Sequence, residues 1–375
     1  MTPEGNIGIR LAWDGKQISR VQISPRPLVQ VNALLRGKSP QEALRIIPMI
    51  FSLCGQAQAA AAATALDAAA SGDMPVVPLT RERRVLAEAL QEILWRFLLD
   101  LPRILHAPPQ SQQLALLRRQ LAGCLSAADE AQWQQGIAGL ASATGHALFG
   151  TAAGWTACKD AANLIRMLEA SDTATARLLV ACWKNDTPPA GKPVALMPFA
   201  QAGHVMDTLL PSLAAEPRFS AYPTWQGHAM ETGSLARMQH CPPMAGLLTN
   251  RAPSTGLRLL ARLLDIDDLL SRLRAPALPE DSFVQGAPFG PGAGIAWVQN
   301  ARGLLLHRAV LDKQGAIADY CVVAPTEWNF HPAGPCAQEL TCKPASTRAQ
   351  AHQHAELAAH SLDPCVAYQI EVDHA

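Results

Sequence analysis

Hydrophobic and polar residues alternate at the start of the chain, and this alternation predicts a β-hairpin. The apolar positions are Ile7, Ile9, Leu11 and Trp13, followed by Ile18, Val21 and Ile23. Between the two runs, Asp14-Gly15 is a pair typical of a two-residue turn. Alternation returns near the other end of the chain, where we expect strands over residues 304–311 and 317–323.

Between these regions, apolar residues recur every three to four positions, as in amphipathic helices. We expect helices over residues 54–70, 81–101, 112–125, 130–143, 157–170, 204–214 and 255–275. Alanine dominates the first of them, and small side chains allow close packing. We therefore place that helix at the centre of a bundle, with Cys54 at its buried N-terminal end. The positive end of the helix dipole would favour a thiolate there.

The pattern as a whole predicts a mainly α (α+β) chain that forms one unit over residues 1–375. Within it we expect an N-terminal β-hairpin region at 1–35 and a helical bundle at 36–290. A C-terminal β region at 291–375 would follow and end in a cysteine motif. Hydrophobic residues make up 49% of the chain and aromatic residues 5%, which suits a globular protein rich in helix.

Charge and cysteine content narrow the classes of function. Lys plus Arg and Asp plus Glu both number 31, so we expect no binding to nucleic acid or to anionic membranes. Residues 1–15 are polar and no run of about 18 residues is apolar throughout, so we expect no signal peptide and no membrane-spanning helix. The nine cysteines include no CxxC pair, which is typical of reduced thiols in a cytoplasmic protein.

Two cysteines are notable for their positions. Cys365 follows Asp363-Pro364 near the C-terminus, and Cys54 precedes the alanine-rich helix near the other end. Two thiolates that the fold brings together would form a soft, two-sulfur site for a metal. Taken alone, Cys54 is more typical of a small buried hydrophobic residue, and Cys365 of a surface thiol.

Short blocks of glycine, proline and charged residues occur in an order that a packed core does not require. They are Pro3-Glu4-Gly5, residues 231–237, Ala301-Arg302-Gly303, Pro325-Thr326-Glu327-Trp328-Asn329 and Asp363-Pro364-Cys365. In this order they resemble motifs of the large subunit of nickel–iron hydrogenases. The resemblance spans nearly the whole chain. It implies that subunit's fold, a helical bundle with an N-terminal β-hairpin and a C-terminal β region.

The chain departs from that family where the family binds nickel. Of the motif Arg-x-Cys-Gly-x-Cys-x-x-x-His it keeps only Cys54, and the other positions hold Met49, Phe51, Ser52 and Gln58. Of Asp-Pro-Cys-x-x-Cys-x-x-His it keeps Cys365, while Tyr368 and Glu371 replace the second cysteine and the histidine. Val29 replaces the glutamate of Arg-Gly-x-Glu. The family holds nickel with four thiolates, so the resemblance implies neither bound nickel nor hydrogen-activating enzyme activity here.

The retained residues match the iron half of the family's site. In the family, the arginine of the Arg-Gly motif and the hydroxyl of the Pro-Thr motif lie beside the cyanides on iron, and Arg302 and Thr326 match them. With Cys54 and Cys365, this pattern resembles the HupK/HoxV-type assembly proteins. The resemblance implies a scaffold for the Fe(CN)2(CO) fragment. A HypC-type chaperone and its HypD-type partner would supply the fragment, and the hydrogenase large-subunit precursor would receive it.

Other interpretations stay open at this point. Arg302 is also typical of a strand cap or of the partner of a carboxylate, and Thr326 of a side chain that bonds backbone. Glu231 and Arg237 are expected to be structural, as a buried ion pair or a backbone anchor. The whole chain is alternatively a docking protein for the maturation machinery that binds no metal. A degenerate hydrogen-activating subunit fits the lost ligands less well.

Overall fold

The computed structural model describes residues 5–26, 31–152, 158, 160–216 and 218–375. Pro3, Glu4 and Val29, which the motif comparison used, lie outside the described residues. The strands are β1 Asn6–Trp13, β2 Ile18–Ser24, β3 Ala195–Leu196, β4 Met230–Glu231, β5 Val284–Gly290, β6 Ala293–Asn300, β7 Gly303–Leu311, β8 Ile317–Val323 and β9 Ala367–His374.

The helices divide at Gly150 into those of the first part of the chain and those that follow. The first are α1 Val31–Leu35, α2 Pro40–Ile50, α3 Gly55–Ser71, α4 Leu79–Trp95, α5 Leu101–Ile104, α6 Ser111–Leu125 and α7 Glu130–Phe149. The others are α8 Ala161–Ala170, α9 Ala174–Lys184, α10 Ala202–His204, α11 Leu210–Ala215, α12 Ser234–Met238, α13 Pro242–Leu248, α14 Thr255–Arg274, α15 Pro325–Asn329, α16 Pro335–Leu340 and α17 Arg348–Leu362. A π-helical turn, Arg96–Asp100, continues α4 into α5.

The N-terminal hairpin is confirmed, and it pairs with the C-terminal strand. β1 lies between β2, which is antiparallel to it, and β9, which is parallel to it. The predicted two-residue turn is wrong: Trp13 pairs with Ile18, so four residues form the loop. The Asp14 carboxylate accepts the backbone N–H groups of Lys16 and Gln17 at 2.9 and 2.8 Å, which stabilises this longer loop.

The helical bundle is centred on α14. Residues 255–263 of this helix are buried on all sides, as expected for a helix inside a bundle. The core around it includes apolar residues of α4, α6, α7, α8 and α9. The central position predicted for the alanine-rich helix is therefore wrong, because α14 occupies it.

The alanine-rich helix α3 packs instead on a four-stranded antiparallel sheet of order β5-β6-β7-β8. A Cβ atom on Gly294 of β6 would lie 2.2 Å from the carbonyl oxygen of Ala65 in α3. The small side chains thus allow close approach, as predicted, but to a sheet. This sheet begins at Val284, before the predicted β region. None of the helices in the described part of the chain combines the length and apolarity needed to cross a membrane.

Candidate functional site

Cys54 lies at the junction between α2 and α3. A 3-10 turn, Ser52–Cys54, follows α2, and Cys54 is the N-cap of α3. The thiol is buried at 4% exposure in the core that α3 shares with the four-stranded sheet. The predicted placement at a buried helix N-terminus is therefore confirmed.

Cys365 lies in the short connection between α17 and β9. Asp363 ends α17 in the left-handed region, with φ 52°, and this turns the chain towards β9. The backbone N–H of Cys365 donates to Thr326 Oγ1 at 3.1 Å, and the same oxygen lies 2.9 Å from the Cys365 sulfur. Since Oγ1 accepts that N–H, its own hydrogen is free to donate to a thiolate. Thr326 thus holds both the backbone and the side chain of Cys365.

The two thiols meet. Cys54 and Cys365 are hydrogen-bonded through their side chains, both are buried, and neither is in a disulfide. The bond from Cys54, together with the charges of Arg26 and Arg302, lowers the pKa of Cys365 to about 6 although burial opposes this. The same bond and desolvation raise the pKa of Cys54. Cys365 is therefore the thiol that ionises first.

The predicted effect of the helix dipole on Cys54 is wrong. The N–H groups of Gln56 and Ala57 at the start of α3 donate to the carboxylate of Glu88, at 2.8 and 2.9 Å. Glu88, rather than the Cys54 sulfur, thus occupies the positive end of the helix dipole. Desolvation raises the pKa of Glu88 to about 7 in spite of these two bonds.

Arg302 lies in the tight turn between β6 and β7, next to both thiols. Gly303 has φ 129°, and a Cβ there would lie 2.4 Å from Thr232 Oγ1, so only glycine suits this turn. Arg302 Nη2 donates to Glu92 at 2.8 Å, and its Nε lies 3.5 Å from Asp363 without a hydrogen bond. The positive charge of Arg302 lowers the pKa of both cysteines, which places this guanidinium within electrostatic range of each sulfur.

Sequence reasoning did not identify Arg26 and Glu327 as site residues. Arg26 Nε donates to Glu327 Oε1 at 2.6 Å, and both side chains are buried. The charges of the two sulfurs help to raise the pKa of Arg26, so it too lies near the cysteines. Arg26 Nη1 and Glu327 Oε2 have no hydrogen-bond partner. One signal was present in the sequence: Glu327 stands next to Trp328 and close to Phe330, and a carboxylate buried among such residues needs a cation.

The structure thus brings together Cys54, Cys365, Arg302 and Thr326. Two adjacent sulfur atoms suit a soft metal, and the unpartnered N–H groups of Arg26 and Arg302 suit an anionic ligand on that metal. Within the described ranges, no group of three or more His, Cys, Asp or Glu side chains is arranged to hold a metal ion. Cys54 and Cys365 are therefore the candidate soft ligands among the described residues of this site.

Phe51 and Tyr368, which replace the lost cysteines, supply no thiolate. Phe51 is buried in the core beside α3, and its ring offers no ligand atom. Tyr368 pairs with Ile7 in the β1–β9 ladder, and burial raises the pKa of its hydroxyl to about 12. In the motifs that this chain resembles, these two positions hold cysteines.

Solved structures of hydrogenases share this fold. The Ni-Fe-Se hydrogenase from D. vulgaris Hildenborough superposes with a TM-score of 0.56 at 14% identity, covering 94% of each chain. An NAD+-reducing [NiFe]-hydrogenase superposes with a TM-score of 0.53 at 16% identity, covering 95% of this chain and 94% of that one. The predicted fold, that of the nickel–iron hydrogenase large subunit, is therefore confirmed.

Sequence comparison points to hydrogenase expression/formation proteins. No protein-family model matches the chain. The hydrogenase expression/formation protein HoxV of Cupriavidus necator is 33% identical over 355 residues, 90% of this chain and 89% of that protein. HupK of Bradyrhizobium diazoefficiens, also a hydrogenase expression/formation protein, is 29% identical over 97% of this chain and 96% of its own length. The chain therefore belongs to the HoxV/HupK family of hydrogenase expression/formation proteins.

Proposed function

We propose that this protein is a non-catalytic assembly scaffold that carries the Fe(CN)2(CO) fragment on Cys54 and Cys365. It passes the fragment to the hydrogenase large-subunit precursor. The observation that carries the proposal is the contact between two reduced thiols from opposite ends of the chain, beside two buried guanidinium groups. A carrier needs sulfur ligands for the iron, and it needs donors for the cyanide nitrogens.

The residues around the two sulfurs fit such cargo. Each cyanide nitrogen is a hydrogen-bond acceptor, and Arg302 and Arg26 hold buried N–H groups without partners. The Thr326 hydroxyl lies against the Cys365 sulfur. Bound cargo would therefore satisfy donors that are otherwise buried at a cost. Since the cargo brings its own cyanide and carbonyl ligands, two protein sulfurs suffice to hold it.

Nickel is not part of this proposal. The hydrogenase large subunit, whose motifs this chain resembles, holds its nickel–iron pair with four thiolates, whereas Phe51 and Tyr368 stand at two of those positions here. We expect protein purified from a nickel-supplied host to carry iron without stoichiometric nickel and to reduce no dye with hydrogen. Metal analysis of the wild type, with a hydrogen-uptake assay on the same sample, tests this expectation. Stoichiometric nickel or hydrogen-dependent dye reduction would favour a degenerate enzyme instead.

The proposed partners follow from the cargo. A HypC-type chaperone with its HypD-type partner would deliver the fragment in the cytoplasm, and the large-subunit precursor would receive it. Co-purification from a host expressing all of these proteins tests each contact. Complexes that form equally well with Cys54→Ala and Cys365→Ala, combined with unimpaired hydrogenase maturation, would favour a docking protein that carries no metal.

Infrared spectroscopy tests the carrier role directly. The protein is purified anaerobically from a host with the full maturation machinery, and the cyanide and carbonyl stretching region is recorded. We expect bands in the wild type and their loss in Cys54→Ala and in Cys365→Ala. Cys124→Ala is the matched control, since Cys124 is also 4% exposed but lies in the bundle core. Bands that persist in both site variants would contradict the proposal.

A further inference from the structure

A series of hydrogen-bonded, buried side chains leads from the four-stranded sheet to the Cys54 sulfur. Gln58 Nε2 donates to Cys54 Sγ at 3.6 Å. Gln58 Oε1 lies 2.8 Å from His307 Nε2, and His307 Nδ1 lies 2.7 Å from the Tyr320 hydroxyl. Gln58 and His307 are fully buried and Tyr320 is 2% exposed, so water does not compete for these bonds.

The orientation of the Gln58 amide, with Nε2 facing Cys54 Sγ, determines the direction of the other bonds in this series. The oxygen of an amide only accepts, so His307 Nε2 must carry the hydrogen that Gln58 receives. A neutral imidazole has one N–H group, and burial lowers the pKa of His307 to about 3, which keeps the ring neutral. His307 Nδ1 is therefore the acceptor, and the Tyr320 hydroxyl donates to it. All the donors point towards Cys54.

Tyr320, the member of this hydrogen-bonded series farthest from Cys54, lies at a cavity. Tyr320 lines an open cavity of about 620 Å³, and Arg26 lines the same cavity while also approaching both thiols. The hydrogen-bonded chain thus connects this cavity with the sulfur of Cys54. Among the described residues, the partners of Cys365 other than Cys54 are instead the Thr326 hydroxyl and the nearby guanidinium groups.

We propose that Gln58, His307 and Tyr320 are positioning residues that hold a hydrogen-bond donor on the Cys54 sulfur. They thereby set how strongly this sulfur binds a soft metal. The inference rests on the proposed function, because it assigns a role to side chains behind one of the two ligands. Groups that hydrogen-bond to a metal's ligands orient those ligands and change metal affinity, and bonds to sulfur also change the electronic properties of the metal.

A simpler role, packing alone, predicts a different outcome. Tyr320→Phe keeps the ring and removes only the hydroxyl that donates to His307. Gln58→Leu keeps a similar side-chain volume and removes the donor to Cys54. If the three residues merely filled space, both changes would leave metal affinity and the tautomer of His307 unaltered. Tyr222→Phe is the matched control, because Tyr222 packs edge-on against His331 rather than against His307.

Cadmium binding to reduced, full-length protein measures the strength of the site without the maturation machinery. The probe is Cd²⁺ alone, followed by its sulfur-to-metal absorption under anaerobic conditions. We expect the affinity to fall about tenfold or more in Gln58→Leu and by a smaller factor in Tyr320→Phe. Tyr222→Phe should match the wild type. Cys54→Ser and Cys365→Ser should each abolish the wild-type absorption band.

The tautomer of His307 supplies a second readout that packing would not change. Nitrogen-15 NMR of protein labelled at histidine should show His307 as the neutral tautomer protonated at Nε2. Gln58→Leu should shift it towards the other tautomer, since Nε2 then lacks its acceptor. Protonation at Nδ1 in the wild type would overturn the inference.

The outcomes separate the two proposals. Cadmium binding that requires both cysteines but is unaltered in Gln58→Leu and Tyr320→Phe would overturn the inference and leave the carrier proposal standing. A wild type without a cysteine-dependent band would contradict the two-thiolate carrier, and the inference would fall with it.

Discussion

At the scale of single residues, the two site thiols lie in unequal surroundings. Cys365 lies in the field of Arg26 and Arg302, and with the bond from Cys54 this lowers the pKa of Cys365 to about 6. Cys54, in contrast, accepts a hydrogen bond from the neutral amide of Gln58. Near neutral pH, Cys365 is therefore the sulfur that is ionised.

The buried Arg26–Glu327 pair yields a prediction about stability. Arg26→Met leaves the Glu327 carboxylate buried and uncompensated, and we expect a loss of about 3–5 kcal/mol in the free energy of unfolding. The double variant Arg26→Met/Glu327→Met removes both charges and should recover most of that loss. Urea unfolding measures both. Arg10→Met, which breaks an exposed pair with Glu371, is the control and should leave stability unchanged within error.

A double variant as unstable as Arg26→Met would contradict this view of the pair. It would mean that packing around Arg26, rather than the balance of charge, determines the loss.

Motif order predicted which residues meet at the site, but not what surrounds them. Cys54, Cys365, Arg302 and Thr326 are adjacent, as the motifs imply. Their roles towards a metal remain a proposal. Contacts such as that of Arg26 with Glu327, which are 301 positions apart, leave no periodic signal in the chain. The hydrogen-bonded chain behind Cys54 was missed for the same reason.

At the scale of elements, the packing of α3 on the sheet depends on glycine in the strands. Alanine side chains on the helix leave room for a close approach only where the facing strand also lacks a Cβ. Gly294 in β6 and Gly286 in β5 meet this condition, since a Cβ would lie 2.2 and 2.6 Å from atoms of α3.

Gly294→Ala should therefore be strongly destabilising. The added methyl group overlaps the Ala65 carbonyl oxygen, so α3 and β6 must move apart at a cost of about 1–3 kcal/mol or more. Gly290→Ala in the same sheet is the control, because a Cβ there meets nothing within 4 Å. Thermal unfolding of the three proteins tests this. Equal midpoints for both variants would contradict the proposed tight contact.

Sequence periodicity predicted most helices and two strands of the four-stranded sheet, but it did not predict which residues of different elements contact each other. Glu231 and Arg237 are structural, as expected, yet each forms a buried ion pair with another residue. Glu231 pairs with Arg258, and Arg237 pairs with Asp265, both on α14. The pairing depends on how α14 passes beside β4 and α12, and local pattern carries no information about that.

At the scale of the whole molecule, the two ends of the chain close the site. β1 and β9 pair in parallel, and the connection from α17 to β9 carries Cys365. The core beneath this sheet includes Ile7, Ile9 and Cys365. The N-terminal hairpin thus fixes the C-terminal segment against the rest of the fold.

Removal of residues 367–375 should expose Cys365. Without β9, nothing fixes the segment after α17 to β1, and local opening should become frequent. We expect the rate of Cys365 alkylation by iodoacetamide to rise about tenfold or more, measured by peptide mass spectrometry. The rate at Cys124 serves as the internal control and should not change. Equal protection of Cys365 in both proteins would show that β9 does not close the site.

The overall fold was predictable chiefly because the motifs span the chain in the order of the hydrogenase large subunit. The meeting of the termini followed from that resemblance. The strand β9 was not predicted, because most of its residues are polar. It is an edge strand with one exposed face. The prediction that two of the large subunit's four nickel-binding cysteines are missing here likewise rests on motif positions rather than on periodicity.

Transfer of labelled iron tests the central claim most directly. Protein loaded anaerobically with ⁵⁷Fe-labelled Fe(CN)2(CO) is mixed with the metal-free large-subunit precursor. The two are separated at intervals, and infrared and Mössbauer spectra are recorded for each. We expect the cyanide and carbonyl bands to leave this protein together with ⁵⁷Fe and to appear on the precursor at the same rate. Bands that stay on the scaffold, while the precursor gains none of the label, would contradict it.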